Sequence, residues 1–246
     1  MTVTFAGSGD AFGSGDRYQA CIHLRGPDRS EPPVLLDCGA TSLLALRRQR
    51  LDPAEVAAVV VSHLHGDHFG GLPFLVLNGQ FSGRTRPLSV VGPSGIAERL
   101  TAAMECLFPG SSSVSRGFPV DVVDLDPGAT ATVAGMEVTA WEVDHPSGAP
   151  PLALRLTLGG KVIAYTGDTA WTDSLIEVAA DSDLFIAEAY YWDKAVPYHL
   201  RHTDLAAHLD QLASARILLT HMSSDMLNRQ DEASFDSAYD GLVVEV

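Results

Sequence analysis

The chain has 246 residues, 46% of them hydrophobic and 19% charged, which is enough apolar material for one α/β domain with a sizeable core. Acidic residues outnumber basic ones 31 to 16, for a formal charge of −15. Affinity for a polyanion comes from Lys and Arg against phosphates, so this balance argues against a large nucleic-acid footprint, and no apolar stretch approaches the roughly 20 residues that cross a bilayer.

In chain order, residues 2–6, 20–25 and 33–38 read as strands separated by Gly/Asp/Ser-rich turns. Residues 40–50 form a helix with Leu43, Leu44 and Leu46 on one side, and Asp52-Pro53 opens a short helical turn. AAVVV (57–61) is a buried strand that runs directly into Ser62-His63-Leu64-His65-Gly66-Asp67-His68. Helices are expected over 72–80 and 93–106, around a strand at 88–91, and 118–143 reads as a meander of strands with turns at Pro127-Gly128 and Ala134-Gly135. Strands 152–158 and 161–166 flank Gly159-Gly160 as a hairpin. Helix 172–180, strand 183–188, helix 203–213, strand 215–220 and a final helical stretch complete the chain. This order predicts two packed sheets with helices outside, an α/β fold of the αββα sandwich type, as a single domain over 1–246.

The opening MTVTFAGSGD has neither a basic nor an apolar leader pattern. Cys21, Cys38 and Cys106 are odd in number and show no C-x-x-C spacing. Both features predict a cytoplasmic protein without disulfides. Cys38 and Cys106 are expected in the core.

The segment 62–68 carries four ligand-type side chains, His63, His65, Asp67 and His68, immediately beyond a strand. His63 and His65 share a face in an extended chain, whereas the adjacent Asp67 and His68 diverge, so each pair suits a different metal ion. Imidazole with carboxylate fits zinc by default, with manganese or iron left open. Two coordination spheres need more donors than one segment holds. His145 after WEVD, Asp168 after KVIAYTG and His221 after RILLT each follow an apolar run in the same manner as His63. Alone, such residues are ordinarily loop or cap positions; beside the dense cluster they become ligands to two divalent ions.

HLHGDH, then His145, GDT with Asp168, and LTHMS with His221 occur in an order that resembles the metallo-β-lactamase superfamily, as does LLDCGA (35–40) with its Asp37. The resemblance implies one metal on His63, His65 and His145, a second on Asp67, His68 and His221, and Asp168 and a hydroxide between them. Zinc β-lactamases that open antibiotics lack such an aspartate, and the di-iron flavoproteins of this fold carry Glu where His65 stands. DLFIAEAYY (183–191) and YHLRHTDLAAHLDQLASARILLTHMS (198–223) resemble ribonuclease Z and its phosphodiesterase relatives. That branch implies an acidic residue, Glu188, paired with a histidine, His202, ahead of Thr203. Arg201 and Thr203 depart from the usual glycine and serine around that histidine. The loop GSGDAFGSGDRYQA (7–20) also resembles that branch.

Two dications lower the pKa of a shared water from about 15.7 toward neutrality and so supply a nucleophile. Asp67 can orient it, and His202 held by Glu188 is expected to serve the leaving group. The expected substrate is a small phosphodiester, because no Lys-rich insertion resembles the arm that grips tRNA. A lactone, thioester or ester hydrolase on the same site, and a tRNA 3′-processing endoribonuclease, are the alternatives, with a non-catalytic protein of the same fold behind them. No membrane partner is expected, and a homodimer is left open. His23, His199 and His208 are expected in structural, loop and surface roles, core packing is the default for Tyr190, Tyr191 and Trp192, and Asp231, Glu232, Asp236 and Asp240 read as a solvated face.

Overall fold

Continuous apolar runs without polar alternation belong to strands covered on both faces, and most strands here are of that kind. In the computed structural model, which describes residues 1–28 and 30–246, the strands are β1 (Thr2–Gly7), β2 (Cys21–Arg25), β3 (Val34–Leu36), β4 (Ala58–Val60), β5 (Leu88–Gly92), β6 (Val120–Asp124), β7 (Thr130–Val133), β8 (Met136–Glu142), β9 (Leu152–Leu158), β10 (Lys161–Tyr165), β11 (Leu184–Glu188), β12 (Ile217–Thr220), β13 (Asp236–Ser237) and β14 (Val243–Glu245). The helices are α1 (Ser42–Arg48), α2 (Gly66–Phe69), α3 (Leu72–Phe81), α4 (Ile96–Leu107), α5 (Ser174–Ala179), α6 (His202–Ala207) and α7 (Ser224–Leu227). Two seven-stranded mixed sheets result, ordered β14-β1-β2-β3-β4-β5-β6 and β13-β12-β11-β10-β9-β8-β7.

The period of two along each strand sorts side chains into three apolar layers. Val34, Leu36, Ala58 and Val60 of the first sheet meet Leu154, Leu156, Ile163 and Ile186 of the second, forming the core between the sheets. Leu35, Val59 and Val61 turn the other way, onto Leu46, Leu72, Leu75 and Leu100 of the outer helices. Phe185, Ala187 and Leu219 face Leu175, Val178 and Leu205 on the opposite side. Truncating an inter-sheet side chain such as Leu36 or Leu154 to Ala would cost about 2–5 kcal/mol.

The topology fixes where the site can be. β3, β4 and β5 run parallel, as do β10, β11 and β12. β1 is antiparallel to β2 and β2 to β3, so β1 runs with β3; by the same logic β8 runs with β10. The segments after β1, β3 and β4 therefore leave one end of the first sheet and those after β8, β10, β11 and β12 one end of the second, and these ends coincide, since His63 beyond β4 lies 4.0 Å from Asp168 beyond β10.

The fold departs from the sequence reading in four places. Within 118–143, β6 leaves the meander and pairs parallel with β5 in the first sheet, while β7 and β8 form a hairpin in the second. The helix expected over 203–213 breaks after Ala207 into a 3-10 turn at Leu209–Gln211. The C-terminal stretch is one helical turn followed by strands: β13 adds to β12, and β14 returns to β1, where the Met1 amine donates to the Val246 carbonyl at 2.8 Å. A three-residue edge strand has too little apolar pattern to announce itself. Cys106 is exposed near the end of α4, whereas Cys21 and Cys38 are buried. Among the described residues no helix is long and apolar enough to cross a membrane.

Candidate metal centre and active site

Each ligand-type side chain is placed by a strand end and a local backbone constraint. Past β4, the chain turns into α2, which has His65 as its N-cap in extended conformation and Asp67 and His68 in its single turn. Gly167 has a φ of +58, and a Cβ there would lie 3.0 Å from the Leu152 carbonyl oxygen and 3.1 Å from Ser62 Cβ, so only glycine lets β10 deliver Asp168 beside the 62–68 segment. His221 itself sits at a φ of 55, an uncommon conformation for a residue with a side chain, and its amide donates to Ser8 O at 3.1 Å.

The fold brings the seven residues together in two groups whose ligand atoms lie within 4.8 Å of one another: His63, His65 and His145, and Asp67, His68, Asp168 and His221. Asp168 Oδ2 lies 4.0 Å from both His63 Nε2 and His145 Nε2 and 3.5 Å from His221 Nε2, so this carboxylate stands between the groups. Its other oxygen is 3.2 Å from His68 Nε2.

A ring of further residues aims these donors. Asp37 accepts from Ser62 N at 2.7 Å, Ser62 Oγ at 2.8 Å, Tyr165 OH at 2.9 Å and His68 Nδ1 at 2.7 Å. That last bond leaves the Nε2 lone pair of His68 pointing into the cluster. His145 Nδ1 likewise donates to Tyr198 O at 2.8 Å, which frees its Nε2.

The donors fit metal ions. With their Nδ1 atoms donating elsewhere, His145 Nε2 and His68 Nε2 present lone pairs, yet they lie 2.9 Å from His65 Nδ1 and 3.2 Å from His221 Nε2. Nitrogens this close are bridged either by a proton or by a shared cation, and a divalent ion suits the whole donor set. His63 Nε2 is buried with no hydrogen-bond partner. Burial disfavours the charged forms throughout, but the cluster overrides it. Asp168, Asp67 and Asp37 lift His68 well above the ordinary histidine range, and Asp168 with Asp67 and Glu188 lifts His221 to about 10. His68 and His221 in turn hold the Asp67 carboxyl well below the usual carboxylate range. His63 is pushed down, by burial first and His68 next. Of the carboxylates that raise these histidines, Asp67 and Asp168 are the ones that would hold divalent ions.

A cavity of about 180 Å³ opens onto the cluster, lined by Ala11 and Phe12 from the loop after β1, by His65, Asp67, His145, Asp168 and His221, and by Tyr190 and His199 from the segment after β11. Among the described residues no Lys or Arg lines it.

The expected Glu188–His202 pair is not formed. Glu188 is fully buried, and its Oε1 accepts instead from His199 Nδ1. Its Oε2 accepts from Thr169 N at 2.9 Å and Leu200 N at 3.2 Å, which ties the Asp168 loop to the His199 loop. His199 stacks on Tyr190 with centroids 4.6 Å apart and meets His145 edge-on at 4.9 Å. Burial would lower its pKa, but the hydrogen bond and charge of Glu188 raise it above the ordinary value. His202 lies in the first turn of α6, 4.1 Å under Trp192 in a parallel stack, and its Nε2 accepts from Ser234 N at 3.2 Å. The physical reason is the helix start: the Asp204 carboxylate accepts from the Arg201 amide at 3.0 Å and from the Arg201 guanidinium, so the helix starts at His202 and carries that ring inward, where it is buried. Arg201 with Asp204 three residues on is the signal that marks His199, in the preceding loop, as the histidine free to reach the sheet edge.

One other residue reads differently in the structure. Asp240, expected on a solvated face, accepts from Ser8 N at 2.9 Å, Ser8 Oγ at 2.9 Å and Tyr18 N at 2.8 Å, clamping the loop after β1. Tyr165, buried between the sheets, reaches the ligand support through Asp37. His23 is buried in β2 and held down to about 4 by burial and by Arg25.

Residues 33–222 match the β-lactamase superfamily domain. The chain belongs to the metallo-β-lactamase superfamily. Among curated relatives, ribonuclease Z of Methanosarcina acetivorans is 25% identical over 276 aligned residues, covering 91% of this chain and 88% of that protein. The crystal structure of human tRNase Z, short form, superposes with a TM-score of 0.81 at 24% identity, over 100% of this chain and 99% of that one. A diphosphatase of the PhnP family gives a TM-score of 0.77 at 20% identity, over 100% and 97%. The chain is accordingly a hydrolase of the metallo-β-lactamase fold, with a His/Asp cluster suited to two divalent ions.

Proposed function

We propose that this hydrolase is a phosphodiesterase acting on small diesters. The observation that carries the reading is the Glu188–His199 pair in the wall of the cavity that opens onto the ligand cluster. Divalent ions on the seven ligands, zinc by default, would supply an activated water and positive charge for the phosphoryl oxygens. Asp67 lines the cavity and is the carboxylate placed to orient the attacking water. His199 has its Nδ1 tied to Glu188, so Nε2 is the atom left to donate a proton to the departing alkoxide. Glu188 keeps that ring oriented, and its hydrogen bond and charge raise the pKa, which favours the donating form. A poor alkoxide leaving group needs such a donor, which favours diester cleavage over the opening of activated esters.

Substrate size follows from the lining. The cavity has about 180 Å³ and no cationic side chain, and the whole chain carries −15. The longest connection between successive elements, 189–201, folds back onto the body through the bridge between Tyr191 and Arg201 and builds no arm. The ribonuclease Z relatives favour a second reading, tRNA 3′ processing. Metal-loaded protein assayed on bis(4-nitrophenyl) phosphate, a lactone panel and a 3′-extended tRNA separates the possibilities. Diester turnover with neither lactone opening nor discrete tRNA cleavage is expected; lactone opening without diester turnover would overturn the proposal, and cleavage at one 3′ site would promote the second reading.

A further inference from the structure

Phe12 is 84% exposed, although it lines the metal-facing cavity. An aromatic ring left in water at the lip of a site has apolar surface available for a ligand. Its backbone is not loose. The buried Asp10 carboxylate accepts from Phe12 N at 3.2 Å, Ser14 N at 2.9 Å and Ser14 Oγ at 2.8 Å. Asp240 clamps the same loop at Ser8 and Tyr18, and Gln19 Nε2 donates to Ala11 O at 3.1 Å. The ring is therefore presented from a fixed support, and little ordering is needed when a ligand covers it.

The cavity beneath is small. At about 180 Å³ it falls below the roughly 300–1,000 Å³ of pockets that enclose a whole drug-sized ligand. It takes the reacting phosphoryl group and its nearest atoms, so the rest of a diester must lie across the rim. With no Lys or Arg in the lining, recognition there is by apolar contact and stacking. His199, from the segment after β11, serves the leaving group; Phe12 comes from a different loop.

We propose that Phe12 is the stacking platform for a planar ring on the retained ester group of the phosphodiester, and so selects substrates that carry an aromatic or nucleobase ring on that side. This rests on the phosphodiesterase reading above. Phenyl, cyclohexyl and methyl esters of 4-nitrophenyl phosphate share one leaving group and differ only in the retained group, so the ratio of their kcat/KM values isolates the contact. In wild type the phenyl diester is expected to lead. In F12A the phenyl-over-methyl ratio should fall about 5- to 100-fold, through KM, the range that ring stacking supplies. F12W should keep the ratio and F12L should lose the phenyl-over-cyclohexyl preference, with metal content unchanged in all three. Unchanged ratios in F12A, with wild type turning over all three diesters, would overturn the Phe12 proposal alone. Wild type inert on all three but active on lactones would overturn the phosphodiesterase reading and this proposal with it.

Discussion

The two ligand groups differ in exposure, charge and support. His63, His65 and His145 offer three imidazoles and no carboxylate of their own; His65 is only partly buried and lines the cavity. Asp67, His68, Asp168 and His221 are all buried and include two carboxylates. The second group is also braced by anions, with Asp37 on His68 Nδ1 and Glu188 Oε1 3.6 Å from His221 Nδ1, whereas the first leans on Ser62 Oγ and a backbone carbonyl. The second group brings two carboxylate charges to a dication and the first brings none, so the sites should differ in affinity. Stepwise chelation should pass through a species with one ion per chain, held by the second group.

Removing Asp168, the carboxylate of the second group that stands between the two, should have the greatest consequence. Asp168→Ala should abolish turnover and lower metal content below one ion per chain, read by elemental analysis. A variant that still binds two ions would contradict the position of Asp168 between the two groups. Next in size is His199→Ala on a diester with a poor leaving group, with kcat falling by roughly 10²–10³ at full metal content, the range for losing one proton donor. His202→Ala should instead spare kcat and destabilise the fold by about 0.5–3 kcal/mol, because that ring packs under Trp192. Equal kinetic defects in both variants would contradict the placement of the two histidines.

Smaller effects sharpen the contrast in support. Asp37→Ala should weaken the second site by about 10- to 100-fold while leaving the first near its starting affinity. A uniform loss at both sites would show that Asp37 supports the whole loop and not one ligand. Glu188→Gln should change the pH profile more than the maximal rate. Glu188 raises the pKa of His199, and the donating form is the protonated one, so turnover falls as pH rises through that pKa. Removing the charge lowers the pKa, and the alkaline limb should move to lower pH. No movement of that limb would exclude His199 as the titrating acid.

What was legible in the sequence follows the same physical divide. The αββα sandwich could be read because both faces of each central strand are buried, leaving apolar runs such as AAVVV (57–61) and RILLT (216–220) that end at ligand-type residues. The 62–68 segment could be read because its four donors lie side by side in the chain, and His145, Asp168 and His221 because each terminates such a run. His199 could not be read in the same way. Its role depends on which of two histidines, three residues apart, reaches a carboxylate 11 positions upstream, and that was decided by a helix cap. Asp240 was hidden for a related reason: it lies among acidic surface residues, and its partners Ser8 and Tyr18 are at the other end of the chain.

Whether His199 or His202 serves the leaving group of a phosphodiester is decided by a leaving-group series. A set of methyl aryl phosphates of increasing phenol pKa would be assayed with wild type, His199→Ala and His202→Ala at matched metal content. Wild type and His202→Ala are expected to show the same shallow dependence of kcat on leaving-group pKa. His199→Ala should show a steep one, nearly matching wild type for the best leaving group and falling away as the phenol becomes more basic. Parallel lines for His199→Ala and wild type, or a steep line for His202→Ala alone, would contradict the assignment.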